Sequence, residues 1–447
     1  MGEMRVPEDA LYGASTQRAV ENFPVSGRGL PRPFLRALGL IKEAAAETNA
    51  ELGELDAALA KVIARAAAEV AEGKLDRHFV VDVYQTGSGT STNMNANEVI
   101  ANRACQLLGK PIGARDAVHP NDDVNRGQSS NDVIPTALHV ACAEEVWRRL
   151  LPSLERMQAV LAGKAKDFDH VLKIGRTHLQ AATPVRLGQV FGGFAAQLTR
   201  SIARLKDAMP RLTELALGGT AVGTGINCPK GFAEKAIGRI AEKTGIPFVE
   251  AGDHFEAQAG RDAAVELAGA LKTVAVSLTH IANDIRWLGS GPRCGIGEIK
   301  VPATQPGSSI MPGKVNPVMS EMLLQVCMRV VGNDAAVTAG GASGVFELNV
   351  AIPLMADALL ESISLLTRGC AVFTEKCLKG IEADEKRCKE LIEKSRMLCT
   401  ALAPVIGYDK AAQIAKKAHA EGKTVREVAT EMGIADLDKL LDLRSMT

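Results

Sequence analysis

Residues 255–288 read FEAQAGRDAAVELAGALKTVAVSLTHIANDIRWL, and apolar or small residues recur in this stretch at every third or fourth position. That spacing places them along one face of an α-helix, and no proline interrupts the pattern. The stretch therefore predicts a single helix of about ten turns, whereas the average helix in a globular protein has about 11 to 12 residues. Helices of this length are typical of long-helix bundles.

The same helical spacing returns in four more stretches, at residues 137–161, 187–212, 318–337 and 353–377. Strand patterns are scarce, so the sequence predicts a mainly α protein with a central bundle of long helices. We expect three domains: a mixed, mostly helical N-terminal domain at 1–128, the bundle at 129–383 and a small helical C-terminal domain at 384–447. Because long helices carry more apolar surface than one bundle layer covers, we also expect subunits to associate through the bundle.

The composition is typical of a soluble globular protein that acts on small molecules. Hydrophobic residues make up 46% and charged residues 23% of the 447 positions. The 52 basic residues equal the 52 acidic ones, so no global field would attract nucleic acid or an anionic membrane. The nine cysteines contain no Cys-x-x-Cys pair, which favours a reducing cytoplasm over a disulfide framework. Neither a signal peptide nor an apolar run long enough to span a membrane is recognisable.

The stretch GSSIMPGKVNP at 307–317 combines hydroxyl groups, a lysine and an amide with residues that restrict the backbone. Its two glycines and two prolines disfavour a regular helix or strand, so we expect a constrained polar loop. Its side chains include donors suited to holding a carboxylate, namely Ser308, Ser309, Lys314 and Asn316. An ordinary solvated turn has the same composition and remains the alternative. A phosphate-binding P-loop is excluded, because valine follows the lysine and the glycines are too far apart.

Three further segments rich in hydroxyl and amide side chains interrupt the helical patterns, at 86–95, 119–132 and 175–178. The first precedes a predicted helix, whose N-terminal N–H groups favour anions. Serine and asparagine at 129–131 could equally be plain helix N-caps. His178 is expected at the entrance of the second long helix, where an imidazole can exchange protons near neutral pH, although a single histidine is most often structural. Histidine spacing does not indicate a metal site.

Together these segments resemble the aspartase/fumarase superfamily and, within it, the class II fumarases. The loop at 307–317 resembles the superfamily signature. The other blocks follow in the family's order, at 86–98, 119–132, 175–178, 216–227, 291–295 and 406–412. The resemblance covers almost the whole chain and implies the family's three-domain, mainly α fold.

The resemblance implies the reversible addition of water to fumarate, giving (S)-malate, a step of the tricarboxylic acid cycle that uses no cofactor and no metal. A proton must leave C3 of malate, and the resulting carbanion is stabilised as an aci-carboxylate. By likeness to the family, Ser308 takes that proton while Lys314 and Asn316 bind a substrate carboxylate. His178, paired with Glu321, would handle the water.

Other substrate-binding residues implied by the resemblance are Ser88, Gly89, Thr90, Ser129, Ser130, Asn131, Thr177 and Ser309. The adjacent Ser308 and Ser309 are not distinguished as the base by sequence alone.

The resemblance also implies a homotetramer in which three subunits build each active site around a shared multi-helix core. A second dicarboxylate site is implied at His119, Pro120, Asn121 and Asp122, although Asp116 would repel an anion there. Family members usually begin further upstream, so a shortened amino terminus is a further expectation.

Aspartate ammonia-lyase shares the carbanion chemistry and the loop, and it is the main alternative. Aspartases tend to have alanine at the position of Gly313 and asparagine at that of His119, so both residues favour a fumarase. A structural superfamily member without activity is a second alternative, although the chain retains the residues that the reaction needs. A stretch resembling a helix-turn-helix at 424–441 is too acidic to bind a phosphate backbone.

Overall fold

Helix formation in this chain follows the apolar spacing of its sequence. The computed structural model describes residues 2–447, and most of them are helical, which confirms the predicted mainly α class. The helices are α1 Ala14–Asn22, α2 Arg32–Glu51, α3 Ala57–Ala71, α4 Thr90–Leu107, α5 Ser130–Glu145, α6 Leu151–Asp167, α7 Leu187–Leu212, α8 Phe232–Thr244, α9 His254–Ala259, α10 Asp262–Leu288, α11 Val318–Gly341, α12 Ile352–Lys376, α13 Glu385–Glu393, α14 Cys399–Ile406, α15 Tyr408–Glu421, α16 Val425–Glu431 and α17 Leu437–Leu440.

Short strands pair into four two-stranded sheets within the described residues. The strands are β1 Leu172–Thr177, β2 Gln180–Arg186, β3 Glu214–Leu215, β4 Val249–Glu250, β5 Ile299–Lys300, β6 Gly344–Val345, β7 Leu348–Asn349 and β8 Glu382–Ala383. The pairs β1–β2, β5–β8 and β6–β7 are antiparallel, and β3–β4 is parallel. Within the described residues, the β1–β2 pair alone is longer than two residues per strand, and the other three sheets are short contacts between loops next to helices.

The long helices begin and end close to the limits that apolar spacing predicts. Helix α7 spans 187–212 as expected, and α11 and α12 match the predicted stretches within a few residues. The stretch at 137–161 runs through α5 and α6, which are joined by a wider helical turn at Val146–Leu150. In α10 the residues at helical spacing are fully or almost fully buried, as expected for a core-facing stripe: Leu267, Leu271, Val274, Leu278, Ile281 and Ile285.

The prediction of one continuous helix from residue 255 is wrong, because the chain breaks between α9 and α10. Gly260 has an extended backbone, with φ −75° and ψ 152°, and its N–H donates to Glu256 O at 2.7 Å to end α9. Arg261 then turns inward and is 2% exposed. Glycine has a very low helix propensity, and a periodicity count of apolar residues does not register that weakness.

Helix α10 is also long and apolar enough, by length and composition, to cross a membrane. Among residues 2–447 it alone meets those criteria. It contains the charged residues Lys272 and Asp284, and a buried core helix of a soluble protein passes the same test. We therefore attach no membrane interpretation to it.

The chain divides into two compact units. The first contains the chain up to Pro152 together with Ala203–Ala275 and Cys327–Thr367, and the second contains Ser153–Ile202, Val276–Val326 and Arg368–Thr447. This division follows backbone contacts and does not test the expected domains at 1–128, 129–383 and 384–447. Those three boundaries stay a prediction.

In the first unit, α2 and α3 pack closely around a glycine. Gly39 lies in the middle of α2, and a Cβ there would overlap the backbone nitrogen of Ala71 and lie 2.8 Å from Ala67 O. The two helices therefore touch through their backbones. Alanine and aliphatic side chains of α3 and α4 extend this contact into a buried cluster that includes Ile63, Val70 and Ile100.

In the second unit, the C-terminal helices form their own apolar cluster. Ile392, Leu402, Ile414 and Val428 are all at most 1% exposed, and Ile174 of β1 packs among them. The β1–β2 hairpin is therefore held to the C-terminal helices by hydrophobic burial.

We predict opposite effects for two glycine-to-alanine substitutions in helices of the first unit. Gly39→Ala should lower the free energy of unfolding by about 1–3 kcal/mol, because the added methyl group forces α3 away. Gly238→Ala in α8 meets nothing within 4 Å and should raise it by about 0.5–1 kcal/mol through helix propensity. Urea unfolding followed by circular dichroism measures both, and a stabilising Gly39→Ala would contradict the backbone contact.

Candidate active site

The loop 307–317 folds back on itself and closes through hydrogen bonds between its ends. Gly307 N donates to Lys314 O at 2.8 Å, and Asn316 Nδ2 donates to Gly307 O at 2.8 Å. A Cβ on Gly307 would lie 2.5 Å from Lys314 O, so only glycine fits this closure. The predicted constrained polar loop is confirmed. The Lys314 side chain is exposed.

Ser308 is the loop hydroxyl that receives backbone donors. Its Oγ accepts N–H groups from Ile310 at 3.2 Å and from Met311 at 3.0 Å. Two N–H dipoles directed at one oxygen stabilise negative charge on it. The neighbouring Ser309 is exposed. Of the two adjacent hydroxyls, Ser308 is therefore the one whose surroundings favour an alkoxide.

His178 lies at the tip of the β1–β2 hairpin, so its expected position at a helix entrance is wrong. Thr177 pairs with Gln180, which leaves His178 and Leu179 as a two-residue turn nine residues before α7. Their φ angles are 55° and 61°. Left-handed backbone at both turn residues fits the twist of a tight hairpin but strains residues other than glycine. The short stretch between α6 and α7 has no regular alternation of apolar and polar residues, so the sequence analysis did not predict the hairpin.

A buried ion cluster holds the first strand of this hairpin. The Glu298 carboxylate is 0% exposed and accepts two hydrogen bonds from Arg176, at 2.8 and 3.0 Å. Lys173 Nζ lies 3.2 Å from the same carboxylate. The cluster therefore holds two cations and one anion, and burial lowers the pKa of Lys173. Because Lys173 and Arg176 both belong to β1, Glu298 fixes the strand that directly precedes His178.

A cavity of about 560 Å³ opens beside the hairpin. Its lining includes Arg176, His178 and Leu179 from the hairpin, and His280, Asp284 and Trp287 from α10. Its volume is that of a small-molecule pocket, and its lining mixes apolar walls with a few charged groups.

Glu321 lies in the first turn of α11. Within residues 2–447 of one chain, no hydrogen bond or ion pair joins its carboxylate to His178. The expected pairing of these two residues is therefore not formed inside a single chain.

In the first unit, a chain of hydroxyl groups connects the starts of two helices. Thr90 Oγ1 lies 2.8 Å from Ser88 Oγ and 2.8 Å from Ser130 Oγ. Ser130 Oγ donates to Asn131 Oδ1 at 3.3 Å. Gly89 caps α4 with φ 75°, and a Cβ there would lie 2.7 Å from a methyl group of Ile134. Four of the predicted binding residues thus form one cluster.

Ser129 serves as the N-cap of α5. Its Oγ accepts Asn131 N at 3.2 Å, and Asp132 Oδ1 accepts Ser129 N at 2.9 Å, which completes a capping box. Asp132 Oδ2 also accepts the N–H groups of Gly218 and Thr220, both at 3.0 Å. Burial raises the pKa of the Asp132 carboxyl, and these backbone donors act against that rise. The capping interpretation of this segment is therefore correct for Ser129.

Lys42 is a buried residue near this cluster that the sequence analysis missed. It lies in α2, is 0% exposed, and its Nζ donates to Asn125 Oδ1 at 2.8 Å and Gln128 Oε1 at 3.0 Å. Burial lowers its pKa to about 7. The helical spacing of the buried Leu38, Lys42 and Ala45 places a lysine on the core face of α2, and this was the available signal.

At the predicted second site, His119 caps the short helical turn Pro120–Val124. Its Nδ1 accepts the N–H groups of Asn121 at 3.3 Å and Asp122 at 3.1 Å. Pro120 is buried, whereas Asn121 and Asp122 are exposed. The imidazole already has a structural role here, and a second dicarboxylate site stays a prediction.

The chain is similar to known lyases over almost its full length. A family model described as lyase matches residues 2–332, and a model described as the C-terminus of fumarase C matches residues 398–447. The chain is 55% identical to the class II fumarate hydratase of Ralstonia nicotianae over 97% of this chain and 94% of that protein. It is 53% identical to the mitochondrial fumarate hydratase 1 of Arabidopsis thaliana, over 97% of this chain and 88% of that protein.

Solved structures of related proteins have the same fold as this chain. The class II fumarase of Schistosoma mansoni matches with a TM-score of 0.96 at 40% identity, covering 99% of this chain and 97% of that one. A fumarate lyase:delta crystallin from Brucella melitensis, bound to cobalt, matches with a TM-score of 0.95 at 46% identity, covering 99% and 98%.

We predict that neutralising Glu298 and neutralising Lys173 in the buried ion cluster have different effects on the free energy of unfolding. Glu298→Gln leaves two cations without their anion and should lower the free energy of unfolding by about 3–5 kcal/mol. Lys173→Met removes the surplus charge and should change it by less than about 1 kcal/mol. Glu385→Gln is the control, because its ion pair with His170 is 66% exposed on both sides. Urea unfolding distinguishes these cases, and equal effects of Glu298→Gln and Glu385→Gln would refute the role of the cluster.

Proposed function

This chain belongs to the class II fumarase family, and we propose that it is a fumarate hydratase, a hydro-lyase that adds water reversibly to fumarate to give (S)-malate. The observation that carries the proposal is the closed loop that directs two backbone N–H groups at Ser308 Oγ, in a chain at least 53% identical to named fumarate hydratases over nearly its full length. The chemistry needs a base and a holder for extra carboxylate charge, and this loop offers both.

In the malate-to-fumarate direction, the first step removes a proton from C3. Ser308 Oγ takes this proton, and the electron pair moves into the adjacent carboxylate to form an aci-carboxylate. A serine is a weak base, so the reaction depends on stabilising its alkoxide. The N–H groups of Ile310 and Met311 support that charge.

The carboxylates of the substrate require cationic and neutral donors. Lys314 supplies an exposed ammonium group from the same closed loop as Ser308, and Asn316 lies two residues further along that loop. Ser309, Thr177 and the hydroxyl cluster of the first unit provide neutral donors, with Gly89 shaping the backbone. The cluster consists of Ser88, Thr90, Ser130 and Asn131, and Ser129 beside it acts chiefly as the helix cap.

The water leaves from the face opposite to the proton, as anti elimination requires. His178 handles it, because an imidazole can donate a proton to the departing hydroxyl group near neutral pH. Glu321 is its partner in this proposal. The rigid turn at 178–179 presents the imidazole at an exposed position beside the cavity.

We further propose that the active protein is a homotetramer whose sites are shared by three subunits. Two observations support this arrangement. His178 and Glu321 do not pair within one chain, and the long helices α10, α11 and α12 expose apolar side chains that a bundle of subunits would cover: Val276, Trp287, Met328, Val331 and Val372. Protein diluted until it is monomeric should therefore lose activity.

A cytoplasmic location and small dicarboxylates as the binding partners complete the proposal. The nine cysteines are free thiols, which suits a reducing compartment, although a relative in Arabidopsis thaliana is named as mitochondrial. The balanced charge of the chain favours neither nucleic acid nor a membrane surface. The proposed chemistry uses side chains and backbone groups alone.

The function is tested by following fumarate absorbance after purified protein is added to L-malate, with L-aspartate in a parallel cuvette. We expect absorbance to rise with malate and to stay constant with aspartate. A rise with aspartate alone would make the protein an ammonia-lyase. No change in either cuvette, with a tetramer confirmed by light scattering, would contradict the proposal.

We predict that alanine at Ser308 and at Ser309 separates the base from its neighbour. Ser308→Ala should lower kcat by about 10³-fold, because it removes the proton acceptor. Ser309→Ala should lower kcat by no more than about tenfold and act mainly on KM, because it removes one binding donor. Steady-state kinetics on malate measure both variants, and the reverse order of effects would assign the base to Ser309.

A further inference from the structure

The turn that precedes the predicted binding residues Ser130 and Asn131 is held by a single buried lysine side chain. Lys42 projects from α2, and its two hydrogen-bond acceptors, Asn125 and Gln128, both belong to this turn. Gln128 is directly followed by the cap residue Ser129. A shift of the Lys42 side chain would therefore move the start of α5, because only Ser129 separates Gln128 from that helix.

Each acceptor of Lys42 uses its other amide atom to hold the backbone of the same turn. Asn125 Nδ2 donates to Gln128 O at 3.0 Å. Gln128 Nε2 donates to Val124 O at 3.2 Å and to Arg126 O at 3.1 Å. The ammonium group thereby fixes the orientation of both amides, since an amide that accepts through oxygen must donate through nitrogen.

The same network reaches the second helix that carries binding residues. Asn93 Nδ2 donates to Asn125 Oδ1 at 3.2 Å, so Lys42 and Asn93 share one acceptor oxygen. Asn93 lies in the first turn of α4, close in sequence to Thr90. The two hydroxyl groups of Thr90 and Ser130, which are 2.8 Å apart, thus stand on helices tied to one ammonium group.

The electrostatic surroundings favour this role over simple core packing. A fully buried ammonium group is costly unless it is hydrogen-bonded and faces negative charge. The carboxylate of Asp132 is the charged group that acts on Lys42, and it accepts N–H groups from Ser129, Gly218 and Thr220. An apolar residue would fill the same volume of α2 without ordering any of these acceptors.

We propose that Lys42 is a positioning residue for substrate binding, which sets the geometry of Ser130, Asn131 and Thr90 by holding the 125–128 turn. The inference rests on the proposed function, because it assumes that these side chains bind a dicarboxylate. Lys42 itself is fully buried and does not touch the substrate. Its effect is on the alignment of binding groups, and it differs in that way from the proposed base and proton donor.

The test compares Lys42→Met with a core substitution that leaves the network intact. Methionine replaces the apolar stem of lysine, ends one atom short of the Nζ position and offers no N–H donor. We expect the variant to raise KM for malate and the inhibition constant of succinate, an unreactive dicarboxylate, by about tenfold each, as for loss of a buried charged hydrogen bond. The kcat of the folded tetramer should change by less than about threefold. Ile63→Val in α3 should leave all three constants unchanged.

A double-mutant cycle with Gln128→Met tests the route of the effect. If Lys42 acts through the turn, Gln128→Met should raise KM in the wild-type background and have little further effect in Lys42→Met. Additive effects would overturn the proposed route. Should Lys42→Met fail to fold, Gln128→Met alone must raise KM for the proposal to stand, because it breaks the same link from the other side.

Hydrogen–deuterium exchange separates this inference from the proposed function. In Lys42→Met, backbone amides of 124–131 should exchange at least about tenfold faster while those of the α3 core stay protected. This readout needs no substrate, so it holds even if wild-type protein does not hydrate fumarate. Unchanged exchange in this segment, or lower stability with unchanged KM and succinate inhibition, would show that Lys42 is only a structural residue.

Discussion

A carboxylate withdrawn from water must be met by donors, and the Asp132 carboxylate meets this constraint with backbone alone. Its two oxygens accept three N–H groups, one from the cap of α5 and two from the turn at Gly218 and Thr220. Segments far apart in sequence are therefore held at one point. The neighbouring hydroxyl groups of Ser88, Thr90 and Ser130, which are buried or half-buried, keep their spacing because this point cannot open without leaving buried polar groups unpaired.

Glu298 repeats the arrangement in the second unit with side-chain cations in place of backbone donors. In both places the acidic side chain that fixes the backbone is fully buried, whereas most of the side chains proposed to bind or react are half-buried or exposed, with Ser88 as the buried exception. This division suits chemistry on a small dianion, since exposed groups must reach the substrate and flexible groups would hold it poorly. Lys42 is a further buried group of this kind. Its Nζ donates to the side-chain amides of Asn125 and Gln128, and these amides in turn hold the backbone of the 125–128 turn.

The sequence was most informative where a regular period or a restricted backbone leaves few choices. Apolar spacing located α7, α11 and α12, and the glycines and prolines of 307–317 indicated the closed loop. The break at Gly260 and the hairpin tip at His178 were missed, because one glycine or one tight turn does not disturb an apolar count. Lys42 was missed because its partners are distant in sequence. The roles of individual site residues were implied by the resemblance to the family, and they stay predictions.

The turn at His178 and Leu179 stores backbone strain next to a proposed catalytic side chain. Two non-glycine residues with left-handed backbone would relax if the strands could separate. They are prevented by Ile174, buried among the C-terminal helices, and by Arg176, clamped to Glu298. The backbone that carries the imidazole is therefore held in one strained conformation before any substrate is bound. The cost of that backbone conformation is met when the chain folds, so none of it has to be met during turnover.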